Sequence, residues 1–255
     1  MTSNINCDII TPTYNNADLT VACFKSVRKY TTDYRLIWVD NGSDEDQRRQ
    51  ILSEVVKHKD YLTIWLPENY GFITATNAGI DSSSGQRMIL LNNDTEVTPE
   101  WAERLHIVLD ENEDVACVGG LTDTEGSWQC WHKVKERRPD LNIPRLWGSD
   151  KTISKRLKKL KGNYFSVSMI AFFASMFRRE VMEELGGLDT RFGFGLGDDD
   201  WLCHRIKTEL KMVIACAPAS FVYHHHRTTF KKLLTPKELK TVQDKNMRKF
   251  KELIK

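Results

Sequence analysis

An apolar run at residues 88–91 ends in Asn92, Asn93 and Asp94, with Thr95 and Glu96 immediately after. A buried strand that delivers amides and a carboxylate to its C-terminal end places them where open α/β sheets bind ligands. Hard oxygen donors at that edge suit Mg²⁺ or Mn²⁺ holding a diphosphate. Taken alone, the same residues also make an ordinary Asn/Asp turn. Two further clusters bring titratable groups together: Asp198-Asp199-Asp200 and His224-His225-His226. Adjacent carboxylates raise at least one pKa and so suit a general base. They equally suit the positive end of a following helix. Side chains alternate faces along a strand, so His224 and His226 converge while His225 points away. Imidazole beside hard oxygen favours Mn²⁺ slightly over Mg²⁺; a solvated strand end is the plainer alternative.

Elements able to position these groups alternate along the first 120 residues. Strands are expected at 8–11 (stopped by Pro12), 35–39, 62–66, 87–91 and 115–119. Between them fall a helix from an Asn16 N-cap to about residue 29, a polar helix to about residue 57, a short one over 72–80, and one to about residue 111 with Pro99 in its first turn. Leu19, Cys23, Val27 and Tyr30 mark one face of the first. This alternation predicts a parallel sheet with helices on both faces. Residues 120–165 lose the rhythm and are rich in tryptophan, proline and basic residues. It returns as a long apolar strand at 168–177, a helix to Leu185, a helix from Asp198 to about residue 209, and two strands near 212–215 and 220–223.

Four of the expected strands end in polar clusters: Thr11, Thr13 and Asn15; Asp40 with residues 41–43; Asn69 and Gly71; and residues 92–94. All fall on one edge of the sheet, as a nucleotide site requires. Asp40 could accept hydrogen bonds from a base or ribose, Gly71 permits close backbone approach, and Asn77 lies one helical turn beyond. Each cluster alone is an ordinary turn; together they make a site.

The segments ITPTYN (10–15), VDNGS (39–43), ENYGFITATNAGI (68–80), LLNNDTEV (90–97) and GGLDTRFGFGLGDDDWLCHRI (186–206) resemble, in order and spacing, the family 2 glycosyltransferases of GT-A fold. ENYGF followed by NAGI is similar to the branch containing rhamnosyltransferases. The resemblance implies a single Rossmann-like, mostly parallel α/β sheet flanked by helices, with a variable, acceptor-binding second half. It implies inverting transfer of a sugar from a UDP- or dTDP-linked donor. Thr11, Thr13 and Asn15 then match the first nucleotide loop, Asp40 the acid that holds the base, and Asn69, Gly71 and Asn77 the segment flanking base and diphosphate. Residues 92–94 take the metal-binding DXD position, with Asn92 replacing the first acid. Asp94 is thus the carboxylate ligand, and Asn93 lines the donor.

The same resemblance makes Asp199 the general base, Asp198 its substitute, and Arg205 a structural ion-pair partner. A histidine after the late strand completes the metal or diphosphate site in many relatives, here His226 first and His224 second. Trp128, Trp131 and Trp147 lie where such enzymes bind acceptors, and aromatic faces stack on sugar rings; each also suits a core.

Composition bounds the rest. With 255 residues and a net charge of +2, the chain is expected to form a domain over 1–230. Residues 1–120 would bind nucleotide, 121–230 would hold acceptor and catalytic base, and a basic helix would follow over 231–255. Residues 151–161 carry Ile153, Leu157 and Leu160 at helical spacing. The tail repeats the pattern with Leu239, Val242, Asn246 or Met247, Phe250 and Leu253. Such stretches could meet anionic lipid, where lipid-linked glycan acceptors reside, or cover the core with a lysine face. Nucleic acid is set aside, since no binding module is present and the basic excess is local. Six cysteines without CxxC spacing, and no signal-like or spanning apolar segment, predict buried thiols and a cytoplasmic protein with peripheral membrane contact at most. A sugar-1-phosphate nucleotidyltransferase is the other reading, but the first loop lacks its glycines. A non-catalytic sugar- or nucleotide-binding module is a third, opposed by the intact Asp94 and Asp199.

Overall fold

The computed structural model describes residues 7–125, 127–225 and 235–254. Four strands, β1 (Cys7–Thr13), β2 (Tyr34–Asn41), β3 (Tyr61–Leu66) and β4 (Arg87–Leu91), pair in parallel in the order β3-β2-β1-β4. Helices α1 (Ala17–Tyr30), α2 (Glu45–Val55) and α3 (Phe72–Asp81) make the crossovers. Side chains alternate across each strand. Ile9, Trp38 and Ile89 pack with α1 and α2 on one face, while Ile10, Ile37 and Leu90 pack with α3 on the other.

The nine-stranded sheet continues through β5 (Thr95–Val97), β6 (Val115–Thr122), β7 (Phe165–Ser166), β8 (Ala174–Arg178) and β9 (Val213–His224). β8 runs antiparallel to both β4 and β6, so β6 and its parallel neighbour β9 return to the direction of the first four strands. β9 therefore ends at the same edge as β4. The antiparallel strand β5 then pairs Thr95 with His224, which draws the residue before it, Asp94, to the tip of β9. The fold is an α/β sheet flanked by helices, here completed by α4 (Trp101–Glu111), α5 (Trp131–Arg137), α6 (Asp150–Leu157), α7 (Arg179–Leu185), α8 (Asp198–Arg205) and α9 (Pro236–Leu253).

Three expectations about elements need correction. Pro12 does not stop β1. Pairing with β4 covers only Cys7 to Ile10, so Pro12 sits where β1 has become an edge and its missing N–H breaks no β4 ladder. The apolar run 168–177 is a strand only from Ala174 onward. Residues 171–173 peel away to wall a cavity, and Gln129 Oε1 accepts from the Ala171 N–H at 2.8 Å in place of a ladder bond. The two late strands are one, β9. A register shift between Gly120 and Leu121 absorbs residues 218–220, including Pro218.

Residues 131–160 pack Trp131, Ile153, Leu157 and Leu160 against Leu121 and Phe221, so the apolar stripe of α6 is spent on core. In α9, Phe250 and Leu253 pack against the cluster on the α3 face of the sheet. Thr235 begins α9 with a capping box: its hydroxyl accepts from Glu238 N, and Glu238 Oε2 accepts from Thr235 N at 2.8 Å. All six cysteines are buried free thiols. Among the described residues, no helix is long and apolar enough to cross a membrane.

Candidate active site

A cavity of about 370 Å³ opens at the C-terminal edge of the parallel strands. Its floor is made by Thr13, Asn41, Asn69, Asn92, Asn93 and Asp94, residues that four strand ends bring together. The loops here are held by their own amides. Asn41 Nδ2 donates to Asn69 Oδ1 at 2.9 Å and to the Gly71 carbonyl at 3.2 Å, while Asn41 Oδ1 accepts from Tyr70 N at 3.0 Å. Asn69 Oδ1 also accepts from Gly71 N at 3.0 Å. Gly71 has φ +87°, and a Cβ there would stand 3.0 Å from Phe194 Cα. Two loops far apart in sequence thus touch across a glycine. Thr13 Oγ1 accepts from Trp38 Nε1 at 2.8 Å, and Asn93 Nδ2 donates to Thr20 Oγ1 at 2.9 Å.

Four expected nucleotide residues stand off the cavity wall. Thr11 and Asp40 are fully buried in β1 and β2. Asp40 Oδ2 accepts from Arg48 Nε at 2.8 Å, and its Oδ1 has no hydrogen-bond partner among the described residues. Such an atom is costly to leave unmet, so it marks a polar position held for function or water. The Arg48 guanidinium lies 5.4 Å from the exposed Trp65 ring, extending this corner to the surface. Asn15 ties loops together: its N–H donates to Ser43 Oγ at 2.8 Å, and its Oδ1 accepts from Asp44 N at 2.8 Å. Asn77 clamps the backbone of Leu188, donating to its carbonyl at 2.8 Å and accepting from its N–H at 2.9 Å. Both amide groups of Asn77 are therefore engaged in joining α3 to the start of the 187–200 segment.

At the tip of β9, His224 Nε2 lies 3.2 Å from Asp94 Oδ1, with both side chains 8% exposed. The His224 ring stacks on Phe173 with centroids 5.0 Å apart, which fixes its direction. Asn92 Nδ2 stands 3.5 Å from the same nitrogen. His225 points the other way and meets Glu96 at 3.1 Å, as strand alternation requires. His226 lies outside the described residues. A carboxylate oxygen and an imidazole nitrogen facing one another in a cavity wall are a donor set that fits a divalent cation such as Mn²⁺ or Mg²⁺.

Asp198, Asp199 and Asp200 form the first turn of α8 and line the same cavity. Among the described residues, no ion pair neutralises any of them; the helix N-terminus and, for Asp198, the Leu196 backbone amide favour the charged form. Burial pushes all three carboxyls above the usual range; the neighbouring charges of Asp198 and Asp200 add to the rise at Asp199. Asp200 N donates to Asp199 Oδ1 at 3.0 Å. Arg205 stays out of the cavity, pairing with Glu209 at 2.7 Å and donating to the Leu185 carbonyl.

Of the three tryptophans, the cavity takes one. Trp128 lines it beside Ser127. Trp131 is core, and Trp147 is 59% exposed and edge-on to Trp131 with centroids 6.2 Å apart. Reasoning from sequence missed Phe172 and Phe173, Phe194, Gln243 and Met247, all on the wall. The glycine-rich run around Phe194 was a readable signal for a tight loop. Gln243 and Met247 gave none, because nothing local tells which face of a C-terminal helix meets a cavity.

Residues 8–186 match the family model described as glycosyl transferase family 2. Over 100 residues the chain is 33% identical to the glycosyltransferase AglE of Haloferax volcanii, which covers 38% of this chain and 33% of that protein. Over 150 residues it is 32% identical to an undecaprenyl-phosphate 4-deoxy-4-formamido-L-arabinose transferase of Yersinia pestis, covering 55% of this chain and 43% of that one. The chain thus spans less than half the length of these curated relatives. Among solved structures, GalNAc-T7 with UDP, GalNAc and Mn²⁺ superposes with a TM-score of 0.66 at 19% identity, over 86% of this chain and 43% of that one. The mannosyltransferase PcManGT of Pyrobaculum calidifontis, with GDP-Man and Mn²⁺, gives 0.62 at 16%, over 88% and 57%.

Proposed function

This chain belongs to glycosyl transferase family 2, and from that premise we propose that it performs inverting transfer of a sugar from a nucleoside-diphosphate donor to a hydroxyl of a glycan or lipid-linked acceptor. The observation that carries the reading is the meeting, in one cavity, of the Asp94–His224 pair with an unneutralised carboxylate turn at Asp198–Asp200. One group suits a departing diphosphate, the other an arriving hydroxyl.

Asp199 takes the acceptor proton as the acceptor oxygen bonds to the anomeric carbon, and the bond from that carbon to the diphosphate breaks with its electron pair. Its raised pKa gives a base stronger than an ordinary carboxylate. The floor around Asn41 and Asn69 and the end of β1 seat the nucleotide, and Asp40, buried behind that floor with an unmatched Oδ1, would accept from a base or ribose N–H or O–H brought to it. Asp94 and His224 would hold a divalent cation, which would neutralise the leaving diphosphate. Mn²⁺ in GalNAc-T7 and in PcManGT supports that metal for this chain. The undecaprenyl-phosphate transferase of Yersinia pestis supports a lipid-linked acceptor. The similarity of residues 68–80 to the rhamnosyltransferase branch puts dTDP-sugars beside UDP-sugars as first donors to try.

The test is nucleoside diphosphate release from UDP-, dTDP- and GDP-sugars without acceptor, in Mn²⁺, Mg²⁺ or EDTA. Metal-dependent release from one donor is expected, with Asp94→Ala, which removes a direct ligand, weakening apparent metal affinity by more than the roughly 100-fold that loss of an outer-shell partner costs. No release from any donor, together with no binding of UDP, dTDP or GDP, overturns the reading.

A further inference from the structure

The family match ends at residue 186, yet the cavity is closed by chain well beyond it. We propose that α9 forms part of the acceptor site, with Gln243 and Met247 touching and selecting the acceptor and Asn246 positioning the loop before the carboxylate turn. This rests on the glycosyl-transfer reading above.

Gln243 and Met247 stand four residues apart on one face of α9, and both line the cavity. Between them, Asn246 is the buried residue of a helix that is otherwise exposed or half-buried, at 3% exposure. A helix that only covered a core would bury Leu or Phe there, because a buried amide is costly unless bonded. Asn246 is bonded. Its Nδ2 donates to the carbonyls of Phe192 at 2.9 Å and Gly195 at 2.8 Å, gripping both sides of Phe194. Lys249 donates to the Arg191 carbonyl just upstream.

Phe250 meets α8 edge-on, at Trp201 (6.5 Å) and His204 (5.9 Å). At Gly197, with φ +108°, a Cβ would sit 3.6 Å from the Asn246 Cβ, so turn and helix are fitted to each other. α9 therefore fixes both the loop that presents Phe194 and the helix that begins with Asp198.

The chemistry of this wall names its ligand. The Met247 thioether and the Phe194 ring offer apolar contact, and the Gln243 amide can both donate to and accept from hydroxyls. A sugar ring with one C–H face and several hydroxyl edges satisfies all three. The acceptor portion seated here is a glycoside.

The experiment uses the full chain. Binding of UDP, dTDP and GDP is measured calorimetrically with Mn²⁺. Transfer is then followed with the active nucleotide sugar and a panel of methyl and octyl hexosides. Gln243→Ala, an exposed position that cannot unfold the domain, and Met247→Ala should each raise acceptor KM about tenfold while the diphosphate Kd stays near the parent value. Asn246→Asp keeps the side-chain shape but removes both donors, and should lower kcat with acceptor at the same diphosphate Kd. If acceptor KM and diphosphate Kd move together, or neither moves, α9 is only a brace and the proposal fails. If no hexoside accelerates diphosphate release by the parent protein, the glycoside assignment is wrong. Absent binding of any diphosphate, the transfer reading itself falls and takes this one with it.

Discussion

Along the edge proposed to seat the donor, Asn15, Asn41 and Asn69 spend their amides on neighbouring loops, whereas across the cavity Phe172, Phe194 and Met247 present side chains from segments far apart in sequence. The donor side is built from consecutive parallel strands whose ends coincide by topology. The opposite wall, where we place the acceptor, is assembled from the 168–173 loop, the glycine-rich turn, α8 and α9. The difference separates two tasks. A seat for a constant nucleotide benefits from pre-paired, rigid loops, since little ordering remains to be done on binding. A wall of independent segments can change its contacts without disturbing that seat.

The largest effect should come from the group that serves both sides. Asp199→Asn is expected to lower transfer by about 10²- to 10⁴-fold while leaving diphosphate binding in place. A loss under about tenfold would move the base to Asp198. The same substitution carries a stability signature. Burial raises the folded pKa of Asp198, Asp199 and Asp200, so between the ordinary and the raised values the folded state binds more protons than the unfolded. Stability is then fullest below about pH 4 on this account and falls as pH rises through the raised pKa. Asp199→Asn should therefore melt higher than the parent above neutrality, with the gap closing toward acid. Transfer by the parent should rise with pH through the same raised pKa. A parent rate that is flat from acid to neutral pH would show that no carboxylate with a raised pKa limits the reaction.

A smaller effect tests rigidity directly. Gly42, on the donor edge, has φ +78°, and a Cβ there would lie 2.5 Å from the Glu68 backbone. Gly186, at the end of α7, has φ +71° and nothing within 4 Å of its Cβ position. Gly186→Ala carries only the left-handed penalty of ~1–2 kcal/mol, whereas Gly42→Ala adds a backbone clash and should lose roughly 3 kcal/mol or more in urea unfolding. Equal losses would break the comparison, since the donor edge would then yield as easily as the other half.

The same contrast explains what could be read from the sequence. Strands β2, β3 and β4, with their polar ends, were legible because alternating apolar residues and Asn/Gly turns act locally. The Asp94–His224 contact was legible only as two separate clusters. Their meeting depends on β5 folding back against β9 over more than a hundred intervening residues. Apolar content misled at 168–173, where Phe172 and Phe173 are buried by a cavity wall and not by strand pairing. Asp40 and Asn77 were identified as polar strand- and helix-borne residues, but periodicity does not reveal that one is fully buried against Arg48 and the other is spent on Leu188.

The tryptophans give the mildest test, and it bears on where the acceptor runs. Trp128 faces the cavity, while Trp147 sits outside it with Arg145 5.6 Å from its ring. An aromatic face stabilises a sugar only where the ring can reach it, so exposure alone does not qualify Trp147. Trp128→Ala should raise acceptor KM several-fold. Trp147→Ala removes little buried area and should leave transfer unchanged, with a stability change within about 0.5 kcal/mol. The reverse result, a raised KM in Trp147→Ala and none in Trp128→Ala, would carry the acceptor over the outer surface of residues 131–160. The variable wall would then extend beyond the cavity, and the division between a fixed donor edge and an adaptable acceptor side would have to be redrawn around α5 and α6.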